Sequence, residues 1–308
     1  MTKAAWVFPG QGSQSVGMGR DLYDNIKSAR AVFEQADKAL GFPISRLCFE
    51  GPDDELRQTI NAQPALVIVG YACLEAALEI SGNKLLTPAF LAGHSLGEYT
   101  ALAVAGALDF NTAVRLARER GRLTHEAGQK RPGSMAAIIG LDESKLADVC
   151  RESDTVMANI NCPGQIVISG AAENVSRAME MATDAGASRT ITLQVSGAFH
   201  SPLMQPAVEG MTGYLESTPF RKPSIPVIGN VTALPLDTAE AVKTELRNQL
   251  TSPVQWQRTI EYMINQGVST FIEIGPGKVL AGLIRRINKE VKTINIGDLE
   301  AVNNLAKP

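Results

Sequence analysis

The sequence predicts an α/β fold: a core built on a parallel sheet, with a smaller β-α-β-β-α-β subdomain inserted into it. Three observations lead there. Short apolar runs of strand type (residues 4–8, 89–92, 227–228 and 270–274) alternate with longer helical patterns. A Gly-x-Ser-x-Gly pentapeptide, Gly93-His94-Ser95-Leu96-Gly97, lies between a strand-type run and a helix-forming run, which is the setting of a nucleophile elbow. Beyond Arg131-Pro132-Gly133 the texture changes to short strands and helices in ferredoxin-like order. The 308 residues suffice for a large domain with an insertion, and 44% hydrophobic and 20% charged residues allow a substantial core.

In chain order, residues 4–8 read as a buried strand that ends in the turn-rich loop Pro9-Gly10-Gln11-Gly12-Ser13-Gln14. Helical periodicity follows through Ala29, Val32, Phe33, Ala36 and Leu40, and again over 63–80. The strand 89–92, the pentapeptide and a helix over 98–105 come next, and Asp109-Phe110-Asn111 opens another helix. The inserted unit reads as strand 135–139, helix 143–151, strand 155–160, turn 161–164, strand 165–169, helix 172–185 and strand 189–195. The larger fold resumes with strands 227–228 and 270–274 and the helix 279–287.

Composition excludes several classes. A net charge of −3 lacks the basic excess of a nucleic-acid binder. Cys48, Cys73, Cys150 and Cys162 have no metal-type spacing and read as free thiols of a reducing compartment, so a cytoplasmic protein is expected. The first strand starts almost at once, which leaves no room for a targeting peptide. No stretch approaches the ~18 continuous apolar residues of a membrane span, so no membrane association is expected.

Ser95 is the candidate nucleophile. Flanking glycines allow a sharp bend, and the helix N-terminus behind it offers free N–H groups to an oxyanion. Ser95-x-x-Glu98 reads equally as a helix capping box. A serine needs a base, and there are three histidines. His94 adjoins Ser95 and should point elsewhere, and His125 sits on a polar helix end. Elimination leaves His200, in the loop where the insert returns to the main domain. Arg120 is the second clue. It falls in the middle of the apolar face made by Ala113, Leu116, Ala117 and Leu123, opposite Arg115, Arg118 and Arg122. A guanidinium facing the core needs an anionic partner. An internal carboxylate such as Glu273 or a substrate carboxylate held bidentately would each serve.

Five motifs then match one family in order: residues 8–14; Gly93-His94-Ser95-Leu96-Gly97-Glu98-Tyr99; Gly197-Ala198-Phe199-His200-Ser201; Gln249 with Pro253-Val254-Gln255-Trp256; and Glu273-Ile274-Gly275-Pro276-Gly277. From about residue 4 to residue 288 the chain resembles the malonyl-CoA:acyl carrier protein transacylases of bacterial-type fatty acid synthesis. The resemblance implies a hydrolase-like catalytic subdomain of residues 1–130 and 197–308 and a small ferredoxin-like subdomain of residues 131–196. It makes Ser95 the acyl-carrying nucleophile and His200 the general base, with no acidic third member. A carbonyl near Gln249 orients the imidazole. The backbone N–H groups of Gln11 and Leu96 form the oxyanion hole, so Leu96→Ala is expected to be mild. Arg120 binds the malonyl carboxylate, which would decide the alternatives left open above. Phe199 belongs to the malonyl-selective version of its loop, and Asn161 with the Pro163-Gly164-Gln165 turn lines the pocket.

The implied reaction is ping-pong transfer of malonyl from malonyl-CoA, through malonyl-Ser95, to the phosphopantetheine thiol of acyl carrier protein. It uses no metal and no cofactor, since both thioesters are substrates. Lys278, Arg285 and Arg286 are candidates to receive the acidic carrier, and a monomer is expected. Three other readings share part of the evidence: an acyltransferase of a polyketide or specialised pathway, a serine hydrolase, and a non-catalytic carrier-binding module.

Overall fold

The strand β1 (Lys3–Phe8) buries every residue after Lys3, as a strand covered on both faces must. In this computed structural model, which describes residues 3–82 and 85–306, β1 lies inside a six-stranded sheet. Five helices follow it: α1 (Arg20–Asn25), α2 (Lys27–Leu40), α3 (Ile44–Glu50), α4 (Asp53–Arg57) and α5 (Thr59–Ser81). The chain then forms β2 (Pro88–Gly93), α6 (Gly97–Val104) and α7 (Phe110–Lys130). Asp109 caps α7 by accepting a hydrogen bond from Thr112 N at 2.9 Å.

Next come β3 (Gly133–Ile139), α8 (Glu143–Ser153), β4 (Val156–Cys162), β5 (Gln165–Ala171), α9 (Ala172–Asp184) and β6 (Arg189–Thr192). These strands form a separate antiparallel sheet in the order β4-β5-β3-β6, with α8 and α9 packed on it around Leu146, Val149, Val175 and Ala178. The expected turn over 161–164 is shorter. Asn161 and Cys162 stay in β4, Cys162 pairs with Gln165, and the reversal is made by Pro163 and Gly164 at φ 71°. The expected strand to Val195 ends at Thr192, although Leu193 N still donates to Met135 O.

The chain returns through a 3₁₀ turn (Pro202–Met204) to α10 (Gln205–Ser217), β7 (Val227–Ile228), β8 (Pro235–Leu236), α11 (Ala239–Gln249), α12 (Trp256–Asn265), β9 (Val268–Ile274), α13 (Val279–Ile287), β10 (Lys292–Ile296) and α14 (Leu299–Asn304). The large sheet runs β10-β9-β1-β2-β7-β8, parallel throughout except between β7 and β8. Because β1 and β2 pair in parallel, with Phe8 opposite Gly93, the loops that follow them emerge side by side at one sheet edge. In open parallel sheets this C-terminal edge is where ligands bind.

The helix α5 is mostly buried. By length and composition it could cross a membrane, yet 72% of its most apolar window is buried, between α2 and α7 among others. Glu75 and Glu79 interrupt the apolar run in the sequence, so a search for continuous apolar residues passes over it.

Candidate active site

At the edge where β1 and β2 end, Ser95 has φ 50°, in the left-handed region. A side-chain-bearing residue is held there only when its surroundings fix it. The turn is tight because its neighbours are glycines. A Cβ on Gly97 would lie 2.1 Å from Phe8 O, and one on Gly10 2.3 Å from His94 O. The loop carrying Gln11 therefore lies directly against the turn carrying Leu96. Neither the Gln11 nor the Leu96 amide has an acceptor among the described residues. The capping-box alternative is not what forms: Ser95 N donates to Asn230 Oδ1 at 2.7 Å, and Glu98 Oε1 accepts from Asn230 N at 2.9 Å.

Ser95 Oγ and His200 Nε2 are 2.8 Å apart, although 105 residues separate them. His200 Nδ1 lies 2.8 Å from the backbone oxygen of Gln249, the last residue of α11. A carbonyl only accepts, so Nδ1 carries the proton and Nε2 is left bare to receive the Ser95 hydroxyl proton. His200 is buried. Desolvation first, then the positive charge of Arg120, pull its pKa down to about 3, against a smaller upward pull from the Gln249 carbonyl.

That shift has a measurable consequence. His200 stays neutral down to about pH 3, so a reaction that uses it as base should show no acid limb near 6.5. The unfolded chain binds the proton first, so stability should instead fall as pH drops from the ordinary histidine value toward 3. The rate of Ser95 modification by a serine-directed reagent and thermal unfolding, each followed across that range, check both signs.

Arg120 is 5% exposed and donates from Nη1 to Gln63 Oε1 (2.8 Å) and from Nη2 to Gln249 Oε1 (2.9 Å) and Ser95 Oγ (3.1 Å). Its Nε has no partner, and its guanidinium lies 5.8 Å from the Tyr99 ring centre. The expected alternative of an ion pair with Glu273 does not form. That carboxylate accepts from Leu280 N, Ala281 N and Asn295 Nδ2 instead. Among the described residues no carboxylate touches Arg120. A buried cation held by two neutral amides and the candidate nucleophile is a ready receptor for an anion.

Ser95, His200, Arg120, Gln11, Phe199 and Gln63 line one cavity of about 460 Å³. The antiparallel unit supplies the opposite wall through Met135, Asn159 and the segment Leu193, Gln194 and Val195. Asn161 is a correction: it does not line this cavity, and its Oδ1 accepts from His94 Nε2 at 2.9 Å. His94 is thereby turned away from Ser95, its ring 5.4 Å from that of Trp256. The Pro163-Gly164-Gln165 turn lies outside the lining as well, and so do Lys278, Arg285 and Arg286. Arg286 donates to Gln165, while Arg57, paired with Asp53, is the exposed basic residue on the cavity wall. His125 is half-buried against Gln129.

The sequence reading missed the amide network beneath the site. Gln249 Nε2 donates to Ser95 O (3.0 Å) and to Glu98 Oε2, and Asn230 Nδ2 donates to Gly93 O (2.7 Å) and Glu98 Oε1 (2.9 Å). Burial, then the nearby Glu245, push the Glu98 carboxyl well above its usual range. Polar residues such as Gln63 inside apolar helical runs were the available signal. Asn230, in a loop, carried none.

The acyl transferase domain family matches residues 5–302. The chain is 48% identical to a malonyl CoA-acyl carrier protein transacylase of Bacillus subtilis, over 98% of this chain and 96% of that protein. The solved structure of an acyl-carrier-protein-S-malonyltransferase from Bartonella henselae aligns with a TM-score of 0.94 at 44% identity, covering 98% of each chain. A malonyl-transacylase solved in complex with its type II PKS acyl-carrier protein aligns with a TM-score of 0.94 at 38% identity, covering 99% of each chain.

Proposed function

The chain belongs to the acyl transferase family, and from that premise we propose that it transfers malonyl from malonyl-CoA to the pantetheine thiol of acyl carrier protein, supplying malonyl carrier for fatty acid synthesis. The observation that carries this reading is Arg120: a buried guanidinium without an anionic partner, 3.1 Å from the nucleophile. A hydrolase of neutral esters has no use for such a group.

Residues 93–97 act as a nucleophile elbow. Ser95 Oγ attacks the thioester carbonyl while His200 Nε2 takes its proton. The Gln11 and Leu96 amides receive the developing oxyanion. The proton on His200 passes to the departing coenzyme A thiolate, leaving malonyl-Ser95. The carrier thiol then attacks the ester, His200 again removes and returns the proton, and Ser95 is regenerated. Charge and redox state balance with no metal or cofactor. Arg120 holds the malonyl carboxylate, and Phe199 closes the space that a branched acyl unit needs. Residues 1–130 and 197–308 form the catalytic subdomain and 131–196 a ferredoxin-like one, and the cleft between them limits hydrolysis by water. The protein works as a monomer in the cytoplasm, and four buried free thiols are in keeping with that reducing compartment.

Intact-mass measurement after mixing the protein with malonyl-CoA, acetyl-CoA or methylmalonyl-CoA tests the proposal. The expected result is a malonyl adduct that carrier protein discharges faster than water does. Discharge by water alone would make the protein a hydrolase. An adduct with methylmalonyl-CoA as readily as with malonyl-CoA would point to an acyltransferase of a specialised pathway.

A further inference from the structure

We propose that Asn230 is a positioning residue for the nucleophile: it locks the turn so that the Ser95 N–H points inward and the next amide, Leu96 N–H, is left for the oxyanion. Asn230 follows β7, the neighbour of β2 in the large sheet, and is 1% exposed. Its Oδ1 accepts from Ser95 N, and its Nδ2 donates to Gly93 O, both at 2.7 Å. Only one orientation of the amide satisfies both contacts. Ser95 N–H must meet an oxygen, and Gly93 O must meet a donor. The side chain therefore grips the turn on both sides of His94. Glu98 Oε1 in turn holds Asn230, accepting from its N and its Nδ2 at 2.9 Å each.

The grip matters because Ser95 stands at φ 50°. Nothing in a serine favours that conformation, so relaxation of the turn would carry Oγ away from His200 and rotate the Leu96 amide. Arg120 is held chiefly by Gln63 and Gln249, neither of which is hydrogen-bonded to Asn230. Loss of Asn230 should therefore impair reaction at Ser95 while sparing carboxylate binding. The inference rests on the reading of Ser95 as nucleophile and not on which acyl group it carries.

The test is the second-order rate of Ser95 modification by a fluorophosphonate, read by intact mass in the full chain and in Asn230→Ala and Asn230→Asp. The reagent needs nucleophile, base and oxyanion amides but no carboxylate receptor. Asn230→Asp preserves size and the acceptor for Ser95 N–H while setting an oxygen against Gly93 O and Glu98. Both variants are expected to react about 10²-fold more slowly, the scale of a lost oxyanion donor. The KM for malonyl-CoA should move by less than about threefold. A folded variant that reacts within about threefold of the parent overturns the proposal.

Amide hydrogen exchange on the unsubstituted protein reads the same point without relying on a variant to fold. Ser95 N–H should be protected by about 10²-fold or more over Leu96 N–H, and equal exchange overturns the proposal. If the parent protein itself is not labelled at Ser95, it is the nucleophile assignment that fails instead.

Discussion

Ser95→Ala is expected to form no acyl adduct from malonyl-CoA, and His200→Ala to lower transfer on the order of 10⁶-fold, as nucleophile and base act as one unit. The geometry gives the reason. Ser95 Oγ has one close base, His200 Nε2 at 2.8 Å, and that nitrogen is bare because Nδ1 is committed to the Gln249 carbonyl. His94, the nearest histidine in sequence, is directed at Asn161 and cannot substitute. Among the described residues no carboxylate stands behind His200. The orienting group is a neutral backbone oxygen, which fixes the tautomer without stabilising an imidazolium as a carboxylate would. Intact mass and steady-state rates for the two variants, with the Ser95→Ala/His200→Ala double variant alongside, check this. A double variant no slower than either single one is the signature of a unit, and additive losses would contradict it.

Arg120→Ala is expected to lower kcat/KM for malonyl-CoA by about 30- to 5,000-fold, the equivalent of roughly 2–5 kcal/mol, and to leave acetyl-CoA much less affected. The guanidinium has no carboxylate partner among the described residues, so a substrate carboxylate meets a cation already desolvated and held in place. An acetyl group leaves that cation unmatched, which is the basis of discrimination. Arg120→Lys should recover only part of the loss, because an ammonium cannot hold Gln63, Gln249 and a carboxylate in one planar fork. The comparison to make is kcat/KM for both thioesters with each variant. Equal losses for malonyl and acetyl would show that Arg120 supports the fold or the nucleophile and does not select the substrate.

The local chemistry of the site was legible because it is written in short contiguous runs. A strand, a glycine-flanked serine and a helix follow one another within residues 88–104, and three histidines leave few candidates for a base. The helical wheel turned Arg120 inward, and the structure buries it there. The same wheel left its partner open. That partner depends on which helix α7 packs against, and the answer, the start of α5 with Gln63, lies 57 residues away. Asn161 was misplaced for a related reason. In β4 a register shift falls between Ile160 and Cys162, and Asn159 is the residue that faces the cavity. Several helices outside the motifs escaped the sequence reading: α3 and α4 because they are only seven and five residues long, α11 although Val242, Leu246 and Leu250 recur at helical spacing.

The sequence alone therefore determined the α/β class of the fold and which residues stand as candidates for the reacting groups, since each depends on periodicity or on residues adjacent in the chain. Tertiary structure alone decided which carbonyl orients His200, that Arg120 is free of internal carboxylates, and that Asn230 and Glu98 sit beneath the turn at Ser95. Those contacts join residues 49 to 135 positions apart. The contact between Asn230 and Ser95 exists because the parallel strands β2 and β7 bring the turns that follow them to one edge of the sheet. No pattern along the chain encodes the meeting of those loops, because sheet order is set by how the apolar faces of distant segments pack together.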